Sequence, residues 1–325
     1  MTVAWGIVST AAINRAVLAG ARASSEVEVV AVASRDAARA EAYAREHRIE
    51  RAYASYDDLL LQPDVEAVYI SLPNSLHVSW SLRALEAGKH VLCEKPLTRR
   101  PGEVEHLFAV AGRAGRIVME GFMYRHHPQT RTISGLVSGG AIGRLRGIHA
   151  SFSFSLGGER NVRLLPELDG GALMDVGCYC VNGSRLLAGE PERVYGEQVV
   201  GASGVDLAFH GTMRFPGDVV AQFDASFAAP LRQRLEAVGE EGVLLAEAPW
   251  RVDWGGGVVL RRGGDEKRVE VEDGDSYRLE LENMSAAIRG RARPLLGRED
   301  ALGQARALAA LYRSADDAAP VALDA

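Results

Sequence analysis

The chain has 325 residues, of which 47% are hydrophobic and 25% charged. That is the balance of an ordinary soluble globular protein, long enough for two domains, and it excludes a disordered or fibrous chain. The 37 Lys+Arg against 43 Asp+Glu leave a formal charge of −6, so no global basic field favours nucleic acid.

From the N-terminus, short apolar runs alternate with helical patterns. The runs are 3–8, 27–33, 65–71, 90–94 and 116–120, and amphipathic segments at 36–47, 74–88 and 103–115 separate them. Strand and helix repeated in this way predict right-handed crossovers and a parallel sheet covered on both faces. The opening MTVAWGIVSTAAINRAVLAGARA lacks the basic start of a signal peptide and reads as a buried strand and helix. No apolar stretch reaches the roughly 18 residues that span a bilayer, so no membrane partner is expected.

Beyond residue 122 the pattern changes. A helix at 129–139 precedes an alternating strand at 145–156, and the Gly-rich turn at 168–171 leads into a helix near 172–189. Runs at 193–200, 205–215, 218–227, 234–248 and 257–263 alternate with period two, as in an antiparallel sheet with one buried face. The mixture at 261–268 reads as a solvated hairpin, and 299–315 as a strongly amphipathic final helix. The expected fold class is α/β: an N-terminal Rossmann domain with a doubly wound parallel sheet over 1–122, then a C-terminal α+β domain over 123–325. The second domain carries a large open, mostly antiparallel sheet, and helix 299–315 packs back toward the first.

The first strand-to-helix junction is where such a fold places a dinucleotide phosphate loop. Ser9, Ala11 and Asn14 stand where the three fingerprint glycines would be, so the loop Ser9-Thr10-Ala11-Ala12-Ile13 is a weak signal by itself. Small side chains still allow close approach, and Ser9 and Thr10 carry hydroxyl donors. After the second strand, Ser34-Arg35 replaces the acid that would hold the ribose hydroxyls of NAD. A hydroxyl followed by a guanidinium suits a 2′-phosphate, with Arg39 one turn later, so NADP is favoured over NAD. Asp36 reads as the N-cap of the next helix.

Only three of the 37 cations are lysine: Lys89, Lys95 and Lys267. Lys95 follows the 90–94 run in Glu94-Lys95-Pro96, at the carboxyl end of a parallel strand, where open α/β sheets bind ligands. Lys89 and Lys267 lie in turns where arginine would serve as well. Asp175 and Tyr179 are four apart on a helix and so share a face. Reducing a carbonyl leaves an alkoxide that needs a proton donor within reach. A tyrosine made more acidic by a nearby ammonium meets that need, and a compact amine does this better than a guanidinium.

Six segments together, 5-WGIVSTAAI-13, 72-LPNSLH-77, 94-EKP-96, 120-EGFMYRHHP-128, 170-GGALMDVGCY-179 and 299–315, resemble the glucose–fructose oxidoreductase, inositol dehydrogenase and rhizopine-catabolism (Gfo/Idh/MocA) family over nearly the whole length. The serine and alanines of the phosphate loop depart from the family's commoner glycines. The resemblance implies hydride transfer between nicotinamide and a sugar, polyol or related carbonyl compound, and a C-terminal sheet that often forms a homodimer or larger homo-oligomer. It assigns the catalytic lysine to Lys95, often followed by a cis proline, and the second-domain acid and proton donor to Asp175 and Tyr179. Leu72, Pro73, Asn74, His77 and Glu94 fall on the cofactor side.

Tyr124, Arg125, Asn161, Arg163 and Tyr277 are candidate substrate contacts, and His126 and His127 also lie near the expected cleft. Tyrosine at 179 together with Ser34-Arg35 leans toward the aldose, anhydrofructose and dihydrodiol branch. A nucleotide-sugar ketoreductase, a non-catalytic dinucleotide sensor and a cofactor-recycling glycosidase or epimerase are the alternatives. A short-chain dehydrogenase is disfavoured, because no tyrosine is followed by lysine four residues later. Three cysteines cannot make a disulfide framework and fit a reducing cytoplasm. Cys178 and Cys180 lack a second Cys/His pair at ligand spacing, so no metal is expected.

Overall fold

The computed structural model describes residues 2–157 and 161–323. By compactness the chain divides into Met1–His126 with Asp275–Leu302, and His127–Gly274 with Gly303–Ala325. A single cut after residue 122 gives all of 275–302 to the second part; the fold returns this segment to the first. The final helix begins in one unit and ends in the other.

In the first unit six parallel strands run β1 (Val3–Val8), β2 (Val27–Ala33), β3 (Arg51–Tyr53), β4 (Ala67–Ile70), β5 (His90–Glu94) and β6 (Val118–Gly121). Their order is β3-β2-β1-β4-β5-β6, and every pairing is parallel. The order reverses between β1 and β4, the place where doubly wound sheets bind their ligands. Central strands are buried along almost their whole length, which is why they read as continuous apolar runs. The connecting helices are α1 (Asn14–Arg22), α2 (Ala37–Glu46), α3 (Tyr56–Leu60), α4 (His77–Glu86) and α5 (Pro101–Ala114). Asp36 caps α2 by accepting the Arg39 N–H at 2.9 Å, as its sequence position implied.

Chain order then passes through the second unit and returns. There α6 (Pro128–Ser138) leads to β7 (Leu145–Ser153), a π-helical turn over Leu173–Gly177 and α7 (Cys178–Ala188). The strands β8 (Arg193–Val200), β9 (Asp206–Phe215), β10 (Val219–Ser226), β11 (Arg232–Gly239), β12 (Gly242–Ala246), β13 (Val258–Arg262) and β14 (Asp265–Val269) follow. Beyond them come α8 (Ser276–Ile288) of the first unit, α9 (Arg298–Asp317) and β15 (Val321–Ala322). The nine-stranded sheet has the order β14-β13-β12-β11-β7-β10-β9-β8-β15. β7 and β10 pair in parallel and the other neighbours are antiparallel.

The sequence pattern missed β3, α3 and α8, and took the hairpin β11–β12 as one run. β3 is three residues long and α3 little more than a turn. α8 has a different cause. Its inward face is Tyr277, Glu280, Leu281, Met284 and Ser285, so a carboxyl interrupts the apolar stripe. Close approach fixes its seat: a Cβ on Gly20 of α1 would lie 2.6 Å from the Arg278 backbone nitrogen, and Trp5 of β1 donates to Ser285 Oγ at 3.3 Å.

Candidate active site

At the switch point of the first unit, β1 runs into the loop Ser9–Ile13. α1 opens without a side-chain cap; the Asn14, Arg15 and Ala16 amides of its first turn donate to the Ala11, Ala12 and Ile13 carbonyls at 3.1, 3.3 and 3.0 Å, so it is the loop before the helix that would meet a phosphate. The Ser9 hydroxyl does not face outward. It lies 2.8 Å from Ser71 Oγ, 3.0 Å from the Ser71 carbonyl oxygen, and accepts the Ala11 N–H at 3.1 Å. The expectation of a Ser9 hydroxyl directed at pyrophosphate is therefore not met, whereas Thr10 is partly exposed. Beyond β2, Ser34 is buried and accepts the Asp36 N–H at 3.3 Å. Arg35 and Arg39 are exposed, and neither has an ion-pair partner among the described residues. Two unneutralised guanidiniums beside an uncapped helix start fit a dinucleotide with an added phosphate.

Lys95 stands one residue beyond β5, and its peptide bond to Pro96 is cis. The turn is held from below. Glu120 at the inner end of β6 accepts the Leu97 N–H at 2.7 Å. Buried His77 has Nδ1 2.8 Å from the Pro96 carbonyl oxygen and Nε2 2.8 Å from that of Leu72. His77 thus ties the Leu72-Pro73-Asn74 loop to the lysine turn. Carbonyls only accept, so a neutral imidazole can donate to one of them and an imidazolium to both.

Glu94 accepts a short hydrogen bond from the phenol of buried Tyr69. Burial first, and the nearby Glu94 carboxylate second, push the Tyr69 phenol well above its ordinary range. The same two causes, in the same order, raise the carboxyl of Glu280 on α8. Glu94, the acceptor of the Tyr69 hydrogen bond, is next to Lys95 in the chain.

Tyr124 is buried, and Arg125 donates to Asp300 at 3.1 Å. Tyr277 is also buried, on the inward face of α8. These three substrate candidates sit in the body of the first unit.

In the second unit, Asp175 lies in the π turn and Tyr179 in the first turn of α7. The uniform helix expected over 172–189 is not formed; i→i+5 bonds widen its first turn, a distortion common at functional sites. The Arg163 Nε donates to Asp175 Oδ2 at 2.6 Å, and Asn161 accepts the Arg163 N–H at 3.1 Å. Asn161, Arg163 and Asp175 are thus brought together. Tyr179 is buried against Phe152 and Trp250, with ring centroids 5.5 and 6.1 Å away.

The glycine pair before the turn is dictated by contact. A Cβ on Gly170 would lie 2.3 Å from the Arg163 carbonyl oxygen, and one on Gly171 (φ +123°) 2.1 Å from Asp206 Oδ1. Sequence reasoning missed Asp206. Its Oδ2 accepts the Leu173 N–H at 2.7 Å and its Oδ1 the Tyr312 hydroxyl at 2.9 Å. Gln304 of α9 donates to the Cys178 carbonyl at 2.9 Å and accepts from Arg185 at 3.0 Å. Nothing near Asp206 in sequence marks it, because its partners lie 33 and 106 residues away.

The three cysteines are buried and form no disulfide with one another, and burial raises the thiols of Cys93 and Cys180. No helix among the described residues is long and apolar enough to cross a membrane.

Residues 3–122 match the family model described as oxidoreductase family, NAD-binding Rossmann fold, and residues 130–245 match the GFO/IDH/MocA C-terminal domain. The chain is 38% identical over 324 residues to D-xylose 1-dehydrogenase (NADP(+)) 2 of Haloferax volcanii, covering 98% of this chain and 99% of that one. Among solved structures, KijD10, a 3-ketoreductase from Actinomadura kijaniata in complex with NADP and TDP-benzene, superposes with TM-score 0.91 at 30% identity, covering 97% of this chain and 98% of that one. Aldose-aldose oxidoreductase from Caulobacter crescentus superposes with TM-score 0.93 at 26% identity, covering 99% and 100%. With both family models matched in order and Lys95, Asp175 and Tyr179 on the segments that carry the likeness, the chain belongs to the Gfo/Idh/MocA oxidoreductase family.

Proposed function

We propose that the protein is an NADP-dependent oxidoreductase acting on the CH–OH group of a sugar or related polyhydroxy compound. The observation that carries this reading is the placement of Lys95 at the end of β5, and of Asp175 and Tyr179 at the start of α7, the three residues to which the resemblance gives proton transfer. NADP supplies or takes the hydride. Ser34, Arg35 and Arg39 bind its 2′-phosphate, the amides of Thr10, Ala12 and Ile13 its diphosphate, and Leu72, Pro73, Asn74 and Glu94 its nicotinamide side, with buried His77 positioning that loop.

In the reductive direction the Tyr179 phenol gives its proton to the oxygen that becomes the hydroxyl, and in oxidation it takes that proton back. The Lys95 ammonium stabilises the charge left on the phenol and the substrate oxygen. Asp175, oriented by Arg163, accepts from a neighbouring substrate hydroxyl. Asn161 and Arg163 are the preferred substrate contacts, because their hydrogen bonds join them to Asp175.

A homodimer through the open face of the nine-stranded sheet is part of the same proposal. Tyr195, Val199 and Val200 on β8 are 37%, 58% and 54% exposed, apolar side chains that a second copy would cover. Cysteines that form no disulfide support a reducing cytoplasm.

The test is a screen of aldoses, ketoses and dihydrodiols with NADP(H), read by nicotinamide absorbance, beside Arg35→Ala. The variant raises the KM for NADPH about tenfold and leaves that for NADH within about twofold; equal losses sink the phosphate assignment. Tight NADPH binding with no turnover of any carbonyl compound would favour the sensor. Nucleotide-linked ketosugars accepted in place of free sugars would favour the ketoreductase. Light scattering of the purified chain decides the dimer.

A further inference from the structure

Ser9 has φ +129°, a backbone conformation that glycine enters freely and an L side chain does not. It occupies the first glycine position of the dinucleotide fingerprint. Something in this chain must hold serine there, and the hydrogen bonds around it run in one direction. Ser71 Oγ donates to Asn14 Oδ1 at 2.6 Å, so Ser9 is the donor toward Ser71, its one hydroxyl proton lying between the Ser71 Oγ at 2.8 Å and the Ser71 carbonyl oxygen at 3.0 Å. Asn14 Nδ2 then donates to the Ser9 carbonyl oxygen at 3.0 Å. The circuit Ser9 → Ser71 → Asn14 → Ser9 closes on itself, and its members are 7%, 6% and 0% exposed. Little water reaches these bonds to compete with them, and each polarises the next.

We propose that this Ser9–Ser71–Asn14 ring replaces the missing glycine and presets the β1–α1 loop for the cofactor diphosphate. The proposal rests on the NADP reading above. Its chemistry concerns oxygens as much as amides. A carbonyl oxygen at the mouth of a phosphate loop would repel an anion, as would a hydroxyl presenting only its lone pairs. Asn14 holds the Ser9 carbonyl inward and Ser71 takes the hydroxyl proton, so Ser9 turns neither oxygen toward the ligand. The Ser9 Oγ lone pair takes the Ala11 N–H, which fixes the turn of the loop and leaves the Thr10, Ala12 and Ile13 amides to the diphosphate. Ser9, Ser71 and Asn14 are positioning residues, and the ring ties the ends of β1 and β4 to the first turn of α1.

The test is a double-mutant cycle read by equilibrium NADPH binding, with thermal melts as a check on folding. Ser71→Ala, which removes one buried oxygen, weakens NADPH about tenfold while the affinity for adenosine 2′-monophosphate, which has no diphosphate, stays within about twofold. Measured against Ser9→Gly instead of wild type, adding Ser71→Ala costs less than about twofold, because glycine needs no ring. An unchanged NADPH affinity in Ser71→Ala overturns the proposal. So does an equal loss on the Ser9→Gly background, or an equal loss for the diphosphate-free ligand. If Ser71→Ala fails to fold, Asn14→Asp, which keeps the acceptor and removes the donor, is held to the same outcomes. A wild-type chain that binds no NADPH fails the cofactor reading itself, a result distinct from the other three.

Discussion

In the first unit Lys95 is held by a strand end. β5 is paired on both sides, to β4 and β6, and the turn beyond it is pinned by Glu120 and His77 within 25 residues of chain. Tyr179 in the second unit starts a helix whose first turn is a π turn, and that start is held by Asp206 on β9 and by Gln304 and Tyr312 on α9. One region inherits its geometry from a parallel ladder; the other receives it from side chains far along the chain. A ladder tolerates the loss of single contacts better than a helix start does, so substitutions outside the reacting residues should act more strongly in the second unit.

The largest effects should come from the reacting groups themselves, where the two regions are equivalent. Lys95→Ala and Tyr179→Phe each lower kcat by roughly 10²–10⁴-fold with NADPH affinity largely kept. Normal turnover in either variant removes that residue from the proton path. The distant brace separates the regions. Asp206→Asn loses one of two charge-assisted acceptances, each worth about 1.5–3 kcal/mol. We expect kcat to fall about tenfold with the KM for NADPH unchanged. A stability loss with normal kcat would mean that the π turn holds its shape without Asp206.

The smallest effect belongs to the ladder side and concerns stability only. His90 opens β5, and its Nδ1 accepts the Ile117 N–H at 3.1 Å. Burial and the nearby Arg116 lower its pKa from the usual 6.5 to about 4. The folded state therefore holds the neutral ring while the unfolded chain takes up a proton first. This contribution is complete above about pH 6.5 and is lost as pH falls toward 4. The loss amounts to about 1–3 kcal/mol. Melting curves between pH 7 and 4 should therefore be flatter for His90→Gln, which keeps an acceptor that does not titrate. A parallel pH dependence in variant and wild type would show that His90 is not the group responsible.

The same contrast explains what could be read from the sequence. β1, β2 and β5 announce themselves as apolar runs without strict alternation because both faces are covered, and the Glu94-Lys95-Pro96 turn falls at the end of one. Gly170-Gly171 and Asp175 were visible as a motif. Their reason was not, because the Gly171 contact is with Asp206, which carries no local signal. α8 was hidden by Glu280, an ionisable residue on a buried face. The π turn was invisible for a related reason: a helix of this composition reads as regular until the hydrogen bonds at its ends are known. Ser9 was legible as a departure from the fingerprint, but the inward turn of its hydroxyl depends on Ser71, 62 residues away.

The sequence comparison of the lysines also changes. Lys89 is not interchangeable with arginine. It is buried, with Nζ donating to the carbonyls of Gln62 and, at 2.8 Å, Val65, and burial lowers its pKa. A guanidinium would bring a larger planar fork to a site that offers two acceptors. With only three lysines in the chain, isotope-labelled reductive methylation yields a dimethylamine spectrum of three side-chain signals. Lys89 is shielded by the fold and Lys267 sits on an exposed hairpin, so the remaining signal reports the protonation of the Lys95 amine directly, with and without cofactor.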